Sequence, residues 1–402
     1  MKVFINKKLL WFSLILIILC KPVAISYSFL DKPFKILQIL LFLYVIYELV
    51  IEGRIAYCSR TFYFLILYEI ILLVSTLVNG TSLYHWVLYG MTFISVFYFV
   101  EKYIRMYSKK TLKYILGVFL LMLILNLCSA IFQMGIQTRG TTFYFLGLRT
   151  RVTDTVYVCL LALVLYLGQR KDRFYIFWGL VTILGSLIIF NVSTLYIGLA
   201  IFIILIVLYK KKTLRKLVAN KFFICVVAAG IIGVVVFRIQ ENFNPIFALF
   251  GKGVDLNYRT YIWDSALLRI KESPLSLCIG HGITELGEWA TFEGRRWQAH
   301  NQFLQITLDG GLAGLVCFCF LIFSSLRYCI ANRNDRKMFF CIALMISYLI
   351  IMITEIYSYY PQFYIIISVM GNLKYFRADI ANNRKREKQS GFYYNSNVQC
   401  GE

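Results

Sequence analysis

Apolar runs of about 18 to 20 residues recur from the first residues to Phe376, each long enough for a helix to cross the core of a bilayer. Short polar breakers separate them. Taken with those breakers, the runs give spans at 9–28, 34–51, 62–79, 83–100, 112–134, 152–168, 174–190, 194–209, 222–237, 311–329, 338–357 and 361–376. The stretch 174–209 is apolar almost throughout, but about 36 residues is too long for one crossing. The polar turn "FNVSTLY" (Phe190 to Tyr196) divides it. The pattern predicts an all-α polytopic membrane protein of about 12 transmembrane helices.

One segment breaks the rhythm. Between the ninth and tenth spans the chain runs from Arg238 to Gly310 without a spanning segment, and a loop of that length is functional or disordered. Its composition argues for order: it holds Trp263, Trp289 and Trp297, two of the three histidines, and a helical stretch "NYRTYIWDSALLRIKES". Asn257 is placed to cap that helix and Ser273-Pro274 to stop it. Its mixed apolar and basic faces suit a helix lying on a membrane surface.

Composition sharpens the picture. Hydrophobic residues make up 60% of the 402 and charged residues 15%, which excludes a soluble multidomain chain. The net charge of +22 would suggest nucleic-acid binding if it formed a patch, but the basic residues lie mainly in short loops. With the N-terminus inside, 29 of the 42 Lys and Arg are cytoplasmic and 13 outer, seven of them in the long loop. Both termini are then cytoplasmic, and the long loop is extracytoplasmic. The N-terminal stretch resembles a signal peptide but lacks the small-residue cleavage pattern, so it reads as a first transmembrane helix. Most of the 11 cysteines sit in apolar runs or cytoplasmic loops, so no disulfide framework is expected. The expected division is a nine-helix bundle over 1–237, an extracytoplasmic catalytic loop over 238–310, a three-helix completion of the bundle over 311–376, and a basic cytoplasmic tail over 377–402.

The candidate chemistry lies in "RRWQAHNQFLQITLDGGLAGL", Arg295 to Leu315, a polar segment running into an apolar helix. A helix start presents unpaired N–H groups to an anion. Arg259, Arg269, Arg295 and Arg296 in the same loop, with Arg139, Arg149 and Arg151 in an earlier outer loop, can grip phosphate in bidentate fashion. His300 has an unperturbed pKa suited to proton transfer, and Asp255, Asp264, Glu285, Glu288 and Glu293 are rival bases. Blander readings stand beside these: His300 as a polar anchor, Trp263 and the "YSYYP" tyrosines as interfacial belt, Gly310 and Gly314 as helix packing, Glu69 as a hydrogen-bonded buried acid. Neither a metal-ligand spacing nor a nucleotide motif is present.

In order, Arg259 and Trp263, Pro274 with Gly280 and Gly282, then His300-Asn301 ahead of Gly310, Gly311 and Gly314, resemble the O-antigen polymerase and ligase superfamily. The motif covers roughly Tyr258 to Leu315, and the stretch "GLRTRVTDT" departs from it by lacking a matching Asn. The resemblance implies a cofactor-free, metal-independent glycosyltransferase of the bacterial plasma membrane. It would polymerise undecaprenyl-pyrophosphate-linked oligosaccharides into capsule, O-antigen or exopolysaccharide on the outer face. On this reading Arg259 and His300 are catalytic. Arg139, Arg149, Arg151, Trp263, Arg269, Arg295, Arg296 and Asn301 bind substrate. The partners implied are the lipid-linked glycans, the bilayer, and flippase and chain-length regulator proteins; nucleic acid is not among them. Two alternatives remain: a ligase that passes finished glycan to another acceptor, and a flippase. A transporter would be expected to show internal repeats, and none is visible.

Overall fold

The computed structural model describes residues 6–138, 141–166, 173–220, 259–285, 287–292 and 294–376. A helix stands at every expected span except 222–237, which lies outside the described residues. The first helices are α1 (Lys7–Leu19), the single turn α2 (Val23–Ser26) and α3 (Asp31–Ile46), which runs on through a π-helical turn at Tyr47–Ile51. Then come α4 (Arg60–Val78), α5 (Leu83–Tyr107), α6 (Lys109–Ile131), α7 (Val152–Tyr166), α8 (Arg173–Phe190), α9 (Ser193–Leu208) and α10 (Lys212–Val218). Beyond the undescribed stretch lie α11 (Arg259–Ile270), α12 (Pro274–Ile279), α13 (Gln302–Ala331), α14 (Arg336–Ile351) and α15 (Pro361–Gly371). Six of the described helices are long and apolar enough to cross a membrane, so the chain is a multi-pass membrane protein; α9 and α15 are apolar but shorter.

The breakers act where their chemistry dictates. Asn191 takes a left-handed φ of 45° and separates α8 from α9, at the turn the sequence marks. The first expected span, 9–28, is not one helix. Residue 22 is proline, which disfavours helical backbone at Lys21, so α1 stops at Leu19 and the chain turns before α2. The tenth span starts earlier than its apolar run, because α13 begins at Gln302. It is broken at Gly311, whose φ of 64° and ψ of −164° no helix contains.

The main core is shared by the bundle helices, with α13 packed along α4. Apolar burial alone does not hold helices together in lipid; close approach through small residues does. A Cβ on Gly310 would stand 3.0 Å from Leu72 and one on Gly314 would touch Ile71, so both glycines serve the α4–α13 contact. Away from the core, α3 turns Ile36, Leu37, Ile39, Leu40 and Leu43 outward, as a lipid-facing helix must.

The segment from Arg259 to Asn301 carries a small core of its own: Ile262, Trp263, Ala266, Ile270, Ala290 and Ala299, closed from below by Leu304 and Leu308 of α13. Two antiparallel hairpins that hydrophobic patterning does not reveal complete the structure. They are β1 (Ile136–Thr138) with β2 (Thr141–Phe143), and β3 (Ala290–Phe292) with β4 (Arg295–Trp297). Their strands are three residues long, below what alternation can signal.

Candidate active site

The polar run before α13 builds the local architecture. Asn301 is the N-cap: its Oδ1 accepts from the N–H groups of Phe303 and Leu304, both at 3.0 Å, and its Nδ2 donates to the Ile353 carbonyl at 2.9 Å. Gln302 reaches across to the segment after α14, accepting from the Tyr357 N–H at 2.7 Å and the Ser358 N–H at 2.9 Å. Gln305 accepts from the Ala299 N–H at 2.9 Å and donates to the Gly287 carbonyl, to Asp309 and to the Tyr359 hydroxyl. Three amide side chains thus lock the Arg259–Asn301 segment, the start of α13 and the 352–360 turn into one body.

Glycines complete that lock. The turn Gly280-His281-Gly282 lies against the break in α13, with His281 N–H donating to the Leu308 carbonyl at 2.6 Å and Gly282 N–H to the Asp309 carbonyl at 2.9 Å. A Cβ on Gly280 would meet the backbone of Asp309, Gly310 and Gly311 at 2.5 to 2.6 Å. One on Gly311 would strike the backbone of Cys278 and Ile279. Both glycines have positive φ, so backbone conformation and contact each demand the residue. His281, buried, bonds the Arg269 carbonyl through Nε2 at 2.9 Å and holds α11 against this turn.

Around the lock, charged groups converge. Arg259, the first residue of α11, donates to the Thr354 carbonyl and makes an ion pair of 3.1 Å with Glu355. A guanidinium has five N–H donors, so these bonds leave donors for a ligand. Arg151 donates to the Ile356 carbonyl at 3.3 Å, stands 3.7 Å from Asp154, and lies over the Tyr360 ring at 3.5 Å. His300 sits among them at a left-handed φ of 48°, a strained geometry that recurs at functional positions. Burial pushes its imidazole down to about 4, the Arg259 and Arg151 charges push the same way, and Glu355 opposes them. His300 is therefore uncharged at neutral pH, with a lone pair to accept a proton. It is a weaker base than an unperturbed histidine until an anion offsets the arginines.

The sequence-derived candidates divide accordingly. Arg259, Arg151 and His300 come together. Asn301 is fully buried in its capping role, and Trp263, offered by the sequence to a substrate or an interfacial belt, instead fills the small core of the Arg259–Asn301 segment at 1% exposure. Tyr357 of "YSYYP" is likewise interior. Arg149, Arg269, Arg295 and Arg296 are exposed, Arg269 paired with Glu272 at 2.7 Å. Arg139, Asp255, Asn257, Glu293 and the 377–402 tail lie outside the described residues. Glu355 was missed: it stands at the end of an apolar run, far along the chain from the histidine. An acid bordering a span marks a position that wants a cation, but nothing local in the sequence says which one it meets.

Residues 179–319 match the family model described as O-antigen ligase, a stretch that takes in Arg259 and His300. An uncharacterized protein of Haemophilus influenzae (strain ATCC 51907 / DSM 11121 / KW20 / Rd) is 26% identical over 164 residues, covering 36% of this chain and 40% of that protein. The match therefore spans well under two thirds of that relative's length. No solved structure matches.

Proposed function

We propose that this chain, whose residues 179–319 match the family model described as O-antigen ligase, transfers glycan from undecaprenyl pyrophosphate to a hydroxyl at the outer face of the bacterial plasma membrane. The observation that carries the reading is the convergence of Arg259, Arg151, Glu355 and an uncharged His300 in one half-buried site at the start of α13. The acceptor oxygen bonds to the anomeric carbon of the donor as the bond from that carbon to the pyrophosphate oxygen breaks. The electron pair leaves with undecaprenyl pyrophosphate, whose developing charge faces Arg259 and Arg151. The hydroxyl proton passes to His300, made more basic by the anion beside it. The leaving group is good, so the site works by positioning and by charge already in place. Glu355 holds Arg259 in register and offsets part of the positive charge of the two arginines.

The acceptor we assign is the next lipid-linked repeat unit, which makes the reaction a polymerisation. Transfer of finished glycan to another acceptor is the second reading, and it rests on the description of the matching family as a ligase. Mass spectrometry of lipid-linked glycans from a deletion strain, complemented with the intact gene or with His300→Ala, tests both. Single repeat units on the outer leaflet, polymerised only by the intact gene, are the expected result. Full-length polymer stranded on the lipid would establish the ligase, and single units confined to the inner leaflet would overturn transferase chemistry for a flippase.

A further inference from the structure

We propose that a second pyrophosphate subsite, formed by Lys21 and Lys35, holds the lipid-linked acceptor beside the active site; this rests on the polymerase reading above. A cavity of about 190 Å³ is lined by Lys21, Lys35, Gln38, Arg151, Asp154 and Tyr360. It shares Arg151 with the active site, while Arg259, Glu355 and His300 are not among its lining residues. Lys21 follows the end of α1 and Lys35 lies in the first turns of α3. Both reach one carboxylate, with Lys21 Nζ at 2.5 Å and Lys35 Nζ at 3.0 Å from the two oxygens of Asp31. An ammonium has three N–H donors, so each lysine keeps donors for a ligand. Together Lys21, Lys35 and Arg151 outnumber Asp31 and Asp154, and the surplus is positive, as a pyrophosphate requires.

The location fits a lipid-borne ligand. Beyond Lys35, α3 presents Ile36, Leu37, Ile39, Leu40 and Leu43 outward. A polyprenyl chain lying along that face delivers its headgroup to the lysines at the top of the helix. Gln38, whose Nε2 donates to the Ile18 carbonyl at 2.9 Å, ties α3 to α1 and fixes the spacing of the two lysines. Joining two lipid-linked glycans brings two dianionic headgroups close together. Arg151 between the subsites offsets their repulsion, and its stacking on Tyr360 at 3.5 Å keeps it there.

The test counts bound lipids. The protein in phosphatidylcholine nanodiscs is titrated with undecaprenyl pyrophosphate, and native mass spectrometry reads the occupancy. The intact protein is expected to bind two molecules, Lys21→Gln/Lys35→Gln one, Arg259→Gln one, and Lys21→Arg/Lys35→Arg two. The subsite is overturned if the Gln pair still binds two or loses both. It is equally overturned if the intact protein binds a single molecule that Arg259→Gln abolishes, a result that leaves the active-site reading standing. Displacement of the second molecule by an equal amount of phosphatidylglycerol would mark an ordinary headgroup site and reject the assignment. Absence of binding by every form would remove the pyrophosphate reading itself, and this subsite with it.

Discussion

His300 is the residue where environment matters most. Its ring is held uncharged by burial and by two guanidinium groups, with one carboxylate opposing. The chain has three histidines, so nitrogen-15 NMR of histidine-labelled protein can follow each ring separately. We expect His300 to titrate near 4. Arg259→Gln removes a charge that disfavours the imidazolium, so the titration should move upward; Glu355→Gln should move it further down. The same signs apply to catalysis. Under the proposed mechanism, protonation of His300 as pH falls stops transfer, so the acid limb of the rate profile should shift to higher pH in Arg259→Gln. Unchanged His300 titration in both variants would show that neither group faces the ring. Arg259 and His300 were legible because charge against the topological bias, and a histidine beside a span, are conspicuous in a greasy chain. Glu355 was not, because pairing across about 96 positions of sequence leaves no local pattern.

At the scale of elements, the lock between the Arg259–Asn301 segment and α13 depends on backbone approach. Gly311→Ala places a Cβ into the Cys278–Ile279 backbone at a positive φ, and should destabilise the protein by roughly 2–5 kcal/mol, from strain and overpacking together. Thermal unfolding in detergent measures it, with Gly294→Ala as the comparison: that glycine also has positive φ, but a Cβ there meets nothing within 4 Å. Equal losses would mean that the contact contributes nothing beyond φ. Asn301→Ala removes a cap and a link to Ile353, and should cost about 1–2 kcal/mol. Helix positions followed from apolar runs and breakers, since both act locally. The early start of α13 did not, because its first turns mix Gln302, Gln305, Thr307 and Asp309 with apolar residues, all buried against protein, and so fall short of an apolar run.

For the whole molecule, the distribution of basic residues leads us to propose that the segment from Arg259 to Asn301 faces the outside of the cell. Cys278 is exposed within it, so a membrane-impermeant maleimide should label intact cells, and Cys278→Ser should remove that label. Labelling at this cysteine only after permeabilisation would invert the topology and, with it, the site.

Hydropathy and charge, which are sums over neighbouring residues, determined by themselves that this is a helical membrane protein with one long polar insertion near its C-terminal third. The arginines and histidine worth testing were also visible there. What only the tertiary structure decided is which of them meet. Arg259, Arg151, Glu355 and His300 are brought together by glycines that let backbones touch and by glutamines that bridge distant turns. Such contacts join positions far apart in the chain, and no periodicity records them.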